Sequence, residues 1–377
     1  MKKFVLTCLS ILFTATSGSG QEAPYLLGEI SFKTPVNAVS ISPDGEQILV
    51  GRDDGTIEIR RADNLAPLAV FESACDNPVL DVEMTPPMDV IIAANGNLLS
   101  LFDTEGNHIL NWNQHATTVW SMDIHPSGSH LVSAEMNRTF QLWDVYDGEV
   151  EMSLRAHEEP TLAVAFSNEG SWFASGSNDR TIRLWDFPSR EVKKILRGIS
   201  DDIYDIAFSP DDSLIAAACK DNTVRMWNIA EEKMVHLYKG HQDFVMEVEF
   251  SPDGRYLLSA SADFGIKLWD VKSGESIHTY LDHEGPVLDI AFLPDGKSFI
   301  SASMDQHLKK WQLHPEIFVL KYKRDRYEKM TEENPLFDPR RKGERRSDYK
   351  ERREKAEKEK ERIIQLLYRE YLESLTP

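Results

Sequence analysis

Eleven histidines and three Asp-Asp pairs are the residues of this 377-residue chain most able to do acid–base or metal chemistry. Four of the histidines, His115, His157, His241 and His283, each stand 28 residues before a tryptophan, so their positions follow a repeat and not a site. His125 and His130 share the turn HPSGSH, and a metal centre there would need a third ligand at metal spacing, which the neighbouring sequence does not supply. The pairs Asp53-Asp54, Asp201-Asp202 and Asp211-Asp212 fall in turns, where carboxylates bond nearby backbone amides more readily than they do general acid work. Neither a phosphate-cradling glycine loop nor a nucleophile elbow is present. No catalytic residue, metal ligand or cofactor is therefore expected.

The elements that would carry these residues follow from a fixed period. Trp143, Trp185, Trp227, Trp269 and Trp311 are each 42 residues from the next, and each closes a short run such as TIRLWD (181–186) or GIKLWD (265–270). Two weaker copies precede them, with Arg60 (TIEIRR, 56–61) and Phe102 (NLLSLFD, 97–103) in the tryptophan position, which makes seven. Upstream of the tryptophan position, copies carry tight turns: SPDG at 42–45 and 251–254, HPSG at 125–128, SPDD at 209–212 and LPDG at 293–296. Between turns the runs alternate, as in TVWSMDI (118–124), and each unit reads as four antiparallel strands. A repeat of about 40 to 45 residues made of strands is the signature of a propeller blade, which must stack on its neighbours to bury both faces.

On these residues the chain resembles the WD-repeat family over about residues 24–314. The resemblance implies an all-β, seven-bladed WD-repeat β-propeller. It also implies a hydrogen-bonded chain of His, Ser or Thr, Asp and Trp inside each blade, with the first three 28, 10 and 6 residues before the Trp. His157, Ser175, Asp179 and Trp185 fit this structural role, as do His241, Ser259, Asp263 and Trp269, and His283, Ser301, Asp305 and Trp311. His115, Ser133 and Trp143 fit with Asn137 replacing the Asp. The fifth repeat has Ile199 and Ala217 in place of His and Ser, the first has Phe32, Val50 and Arg60, and the second has Ala74, Gly96 and Phe102. These blades are expected to rely on packing. Either YLLGEISF (25–32) or IFVLKYK (317–323) can be the fourth strand of the last blade, and the N-terminal segment is favoured because it would lock the ring.

The ends differ from the ring. Met1-Lys2-Lys3 followed by the apolar run FVLTCLSILF (4–13) and small residues reads as a secretory signal peptide over 1–20, too short to span a bilayer, so the protein is expected to be exported to a periplasm or secreted. Residues 21–323 are assigned to the propeller, 324–346 to a linker and 347–377 to a charged, amphipathic C-terminal helix. That helix carries Ile364, Leu367, Tyr368, Tyr371 and Leu375 on one stripe, which would lie on the propeller or on a partner. Cys75 and Cys219 fall about three blades apart and cannot pair. The formal net charge is −20, and residues 4–320 alone hold −26. Such a field repels phosphate backbones, which argues against nucleic acid as a ligand and allows a basic partner.

What remains for function is the hub. The residue five after the His position starts each inner strand, and in the family this ring commonly contacts a bound peptide. Here it reads Asn37, Leu80, Trp120, Leu162, Tyr204, Met246 and Leu288, with Phe244, Met136 and Met304 beside it. An exposed apolar rim of this kind suits a protein or peptide ligand. The expected function is a non-catalytic protein-binding scaffold with Trp120, Tyr204, Phe244 and Met246 as anchors and Leu80, Leu162, Leu288, Met136 and Met304 around them. The alternative is a propeller enzyme, a hydrolase or cofactor-dependent dehydrogenase, with its site at the channel mouth.

Overall fold

The computed structural model describes residues 25–73, 75–86, 90–339, 341 and 343–375; the expected signal peptide and Ala74 lie outside the described residues. The chain forms seven four-stranded antiparallel sheets. Blades 1 to 6 each take four consecutive strands, starting at Val36, Val79, Val119, Thr161, Ile203 and Val245. Blade 7 takes its first three strands from Val287–Phe292, Ser298–Ser303 and His307–Gln312 and its fourth from Leu26–Ser31. Leu26 pairs with Trp311 and Ser31 with His307, so the N-terminal segment closes the ring.

Burial follows position in the blade. The second and third strands are buried almost throughout, whereas outer strands such as Val150–Arg155 alternate between half-buried and exposed residues. The five repeat tryptophans are at most 2 % exposed. Each removes roughly 150 to 250 Å² from water, a gross gain of about 4 to 6 kcal/mol, so burial between blades is the main term. In blade 2, where Phe102 stands in for the tryptophan, the ring packs on Phe71 with centroids 4.9 Å apart. The turn SPDD departs from its sisters: Asp212 takes the left-handed conformation (φ 54°) that Gly45 and Gly254 adopt elsewhere, and short polar side chains tolerate that region best.

Blades 4, 6 and 7 contain the full polar chain. In blade 6, Trp269 Nε1 donates to Ser259 Oγ at 2.8 Å, His241 Nε2 meets the same oxygen at 2.8 Å, and His241 Nδ1 lies 2.9 Å from Asp263. Blade 7 repeats this through Trp311, Ser301, His283 and Asp305, and blade 4 through Trp185, Ser175, His157 and Asp179. Burial opposes ionisation of Asp263 and Asp305, but the histidine hydrogen bond and backbone amides outweigh it and hold both carboxyls at about 2.

Two divergent blades do not rely on packing alone, contrary to the sequence expectation. In blade 5 the buried Arg225 donates to both oxygens of Asp221 and to Ser200 Oγ. In blade 1 the buried Arg60 pairs with Glu58 at 2.6 Å and lies over the Phe32 ring together with Arg52. An arginine fork thus replaces the histidine relay, because a planar guanidinium can satisfy a carboxylate at two points.

After the last blade the chain turns helical. IFVLKYK does not form a strand: it lies largely in α1 (Pro315–Tyr322), where His314 caps the N-terminus by accepting from Glu316 N–H and Pro315 occupies the first turn. The segment 324–346, expected as a linker, holds α2 (Arg324–Glu332) and a short 3₁₀ turn (Pro335–Phe337). The long helix α3 (Arg346–Leu375) packs Ile363, Ile364 and Leu367 on Val319 and Tyr371 on Phe318 and Tyr256, so its apolar stripe is covered by its own propeller and α1. Cys75 and Cys219 are free thiols.

Candidate functional site

The hub is built by one backbone irregularity used seven times. In every blade the pairing of the first and second strands shifts register at the second residue of the inner strand: Asn37, Leu80, Trp120, Leu162, Tyr204, Met246 and Leu288 are each skipped. A bulge re-aims its side chain, and here all seven are the expected rim residues. Trp120, Leu162, Tyr204, Met246 and Leu288 form one apolar cluster, with Met136, Phe244 and Met304 partly buried against it; Tyr204 and Phe244 rings lie 6.1 Å apart. Leu80 lines the same mouth and is half-buried.

The structure therefore brings the expected binding residues together but corrects their exposure. Trp120, Tyr204 and Met246 are 5 to 6 % exposed, so they fill the channel mouth as a plug instead of standing free on a rim. Seven bulges aimed at one axis leave too little room for large side chains to remain solvated. Leu80, Met136, Phe244 and Met304 are the members that keep surface. Burial and the nearby Asp202, Asp201 and Asp243 push the Tyr204 hydroxyl up, which shows an acidic margin around the plug.

Beneath the plug lies a feature that the sequence reading missed. Asp81, Asp205, Glu247 and Asp289 follow the rim residue by one position, and Glu83, Asp123 and Glu249 follow it by three, so all seven carboxylates line the channel. Five of them accept a backbone N–H from the next blade: Asp81 from Met122 (2.7 Å), Asp123 from Phe166 (2.6 Å), Asp205 from Val248 (3.1 Å), Glu249 from Phe292 (2.6 Å) and Asp289 from Val39 (2.8 Å). Each is half-buried in area because it faces the lumen, yet it sits deep within the ring. Burial and mutual repulsion raise Asp123 and Asp205 to about 7 and Glu249 to about 8, and push Glu83 and Glu247 well above the usual carboxylate range. The signal was available in VLDVE, IYDIAF and MEVEF, as acidic residues inside otherwise apolar strands.

The other candidate chemical groups are placed as structure. His157, His241 and His283 are held in the blade relays, and His115 Nε2 bonds Ser133 Oγ while burial lowers it to about 4. Asn137 does not complete that chain; it donates to Glu135, which also accepts from Ala116 and Thr117 amides. His125 accepts from Ser127 N–H through Nδ1, bonds the Gly170 carbonyl through Nε2 and stacks on Phe187, with the His130 ring packed edge-on beside it. His130 instead lies with Asp144 and Glu151, ligand atoms within 4.8 Å, but the Arg190 guanidinium already occupies Glu151.

The model for the "WD domain, G-beta repeat" family matches residues 27–59, 106–144, 148–186, 190–228, 232–270 and 274–312. The chain belongs to the WD-repeat family. The stretch 60–105 between the first two matches covers most of blade 2, which like blade 1 lacks the tryptophan and the His–Ser relay. Over 138 residues, 35 % of the chain, it is 30 % identical to "Periodic tryptophan protein 2 homolog" of Caenorhabditis elegans, and the match spans 14 % of that protein's length. WD-repeat propellers bind proteins and are typically non-enzymatic scaffolds. Among the described residues no helix is long and apolar enough to cross a membrane.

Proposed function

We propose that this WD-repeat protein is a non-catalytic scaffold that captures a peptide or loop across the plugged mouth of its hub. The observation that carries the reading is the single apolar cluster at the centre of the face where the inner strands begin, bordered by Asp201, Asp202 and Asp243. The half-buried Phe244, Met304, Met136 and Leu80 would make the contact, and Trp120, Tyr204, Met246, Leu162 and Leu288 would hold them rigid from below. An apolar centre with an acidic margin favours a ligand with a hydrophobic anchor and flanking basic residues.

The test follows from the burial. Replacing Trp120 or Tyr204 would damage the plug itself, so the informative variant is Phe244→Ser with Met304→Ser. Once a partner has been captured from the native source and identified, the double variant is expected to bind it at least about tenfold more weakly, with an unchanged melting transition. Undiminished binding excludes the hub mouth. Charge reversal on the exposed side of α3, at Lys355 and Arg362, tests whether the tail contributes; deleting the tail would instead expose Phe318 and Tyr256. Export is part of the same proposal, supported by the charged start and short apolar run of residues 1–20, and N-terminal sequencing of the native protein checks it.

A further inference from the structure

The lumen under the plug is a cavity of about 400 Å³ in which carboxyl groups predominate among the polar lining residues. Besides the seven carboxylates it contains Asn37 and Ser40, which are 1 % and 8 % exposed. Asn37 Oδ1 and Ser40 Oγ have no hydrogen-bond partner among the described residues. Ser40 occupies in blade 1 the register position that Glu83, Asp123 and Glu249 occupy in theirs, so it faces the same space. No Lys, Arg or His is among the lining residues. Buried acceptors that no protein donor meets call for a ligand that brings donors and positive charge.

We propose that the lumen binds an aliphatic polyamine, whose ammonium groups are met by the carboxylate ring and by Asn37 and Ser40. The layout favours this over a directly coordinated metal ion. Among the described residues, the one group of three whose ligand atoms lie within 4.8 Å of each other is His130, Asp144 and Glu151, outside the channel. Within the channel the carboxylates one and three positions beyond the rim are separated by about 6.6 Å along a strand. That step is comparable to the spacing of amines joined by three or four methylenes. The plug side chains Leu80, Trp120 and Leu288 line the same cavity and suit those methylenes. Several lumen carboxyls hold a proton near neutral pH, so a polycation that ionises them must release protons as it binds.

The experiment is calorimetric titration of the full chain with spermidine, and separately with Mg²⁺ and Ca²⁺ at matched ionic strength, in two buffers of different ionisation heat. The expected result is saturable binding of one spermidine with proton release and a raised melting temperature, without a matching response to either metal. Glu83→Gln and Glu247→Gln remove carboxyls that a polycation would ionise while leaving the five backbone braces in place, and each should weaken binding about tenfold. Because the acidic exterior also attracts polyamines, only loss on these lumen substitutions counts as support. Ala165→Lys, which would place a tethered ammonium in the lumen, should abolish the spermidine-induced rise and keeps the test open if the Gln variants fail to fold. Binding without proton release, spermidine affinity unchanged in the lumen variants, or tighter saturable binding of a divalent metal overturns the proposal.

Discussion

Asp263 and Asp205 carry the same side chain in adjacent blades of one molecule, and their surroundings drive them in opposite directions. Asp263 lies inside its blade, where His241 and the amides of Gln242 and Gly265 stabilise its charge and hold it at about 2. Asp205 faces the lumen, where burial and the other acids raise it to about 7 despite the Val248 amide, the Glu247 carboxyl and the Ile206 amide. The contrast shows that two amides and a neighbouring carboxyl do not offset burial among other acids, whereas a histidine partner plus two amides does. The blade interior uses carboxylates as anchors; the hub keeps them as a store of suppressed charge.

The sharpest way to break the comparison is to remove charge where the partner has no neutral form. Asp221 in blade 5 faces Arg225, which stays ionised, so Asp221→Asn is expected to cost about 3 to 5 kcal/mol in chemical denaturation. Asp263→Asn faces a histidine that can be neutral and should cost about 1 to 2 kcal/mol. Equal costs would mean that the arginine fork of blade 5 is no more than a surface pair.

Acidity separates the two classes next. Asp263 and Asp305 have folded values near 2, below the unfolded carboxylate value, so their stabilisation is complete above about pH 4 and disappears as pH falls towards 2, at about 1 to 2 kcal/mol each. Asp123, Asp205 and Glu249 have folded values near 7 to 8, so their contribution is complete below about pH 4 and disappears as pH rises towards 8. Melting temperature against pH should therefore fall on both sides of a mildly acidic maximum. In Asp123→Asn with Asp205→Asn the fall on the alkaline side should flatten and the acid side should not move.

The smallest effect is expected from Asp205→Asn alone at neutral pH. The amide oxygen still accepts from Val248 N–H and one source of repulsion is gone, so the change should lie within about 1 kcal/mol and towards greater stability. A large loss would show that the lumen charge, and not its hydrogen bond, braces blades 5 and 6.

Most of the fold could be read from the chain because it repeats. Spacing fixed seven blades, and the offsets of His157, Ser175 and Asp179 from Trp185 located a relay that the structure contains. The bulged rim also followed from register, since one position per repeat maps to one position around the ring. Exposure did not follow. Sequence places Trp120 and Tyr204 at the hub but cannot say that seven bulges converge and fill it. The lumen acids escaped notice because each inner strand holds only one or two of them and they become a ring only when the blades close. Arg60 read as a loss of pattern and Arg225 carried no signal, although each finds a carboxylate on a strand or turn of its own blade. The helices after residue 314 were obscured by IFVLKYK, whose apolar content suits a strand, while the decisive signals were the His314 cap and Pro315.

The last blade borrows its outermost strand from the opposite end of the chain. During synthesis, Leu26–Ser31 leaves the ribosome early and has no sheet to join until His307–Gln312 emerges. For most of translation the nascent protein is thus an open arc with one unpaired strand and two uncovered sheet faces, surfaces prone to association with a neighbouring polypeptide. Tyr25 stacks on His314 and packs at the edge of Tyr280, so the stretch of chain just before α1 also fastens the segment that leads into the Leu26–Ser31 strand. A truncated product lacking that stretch would remain an arc, and quality-control proteases would meet it as one.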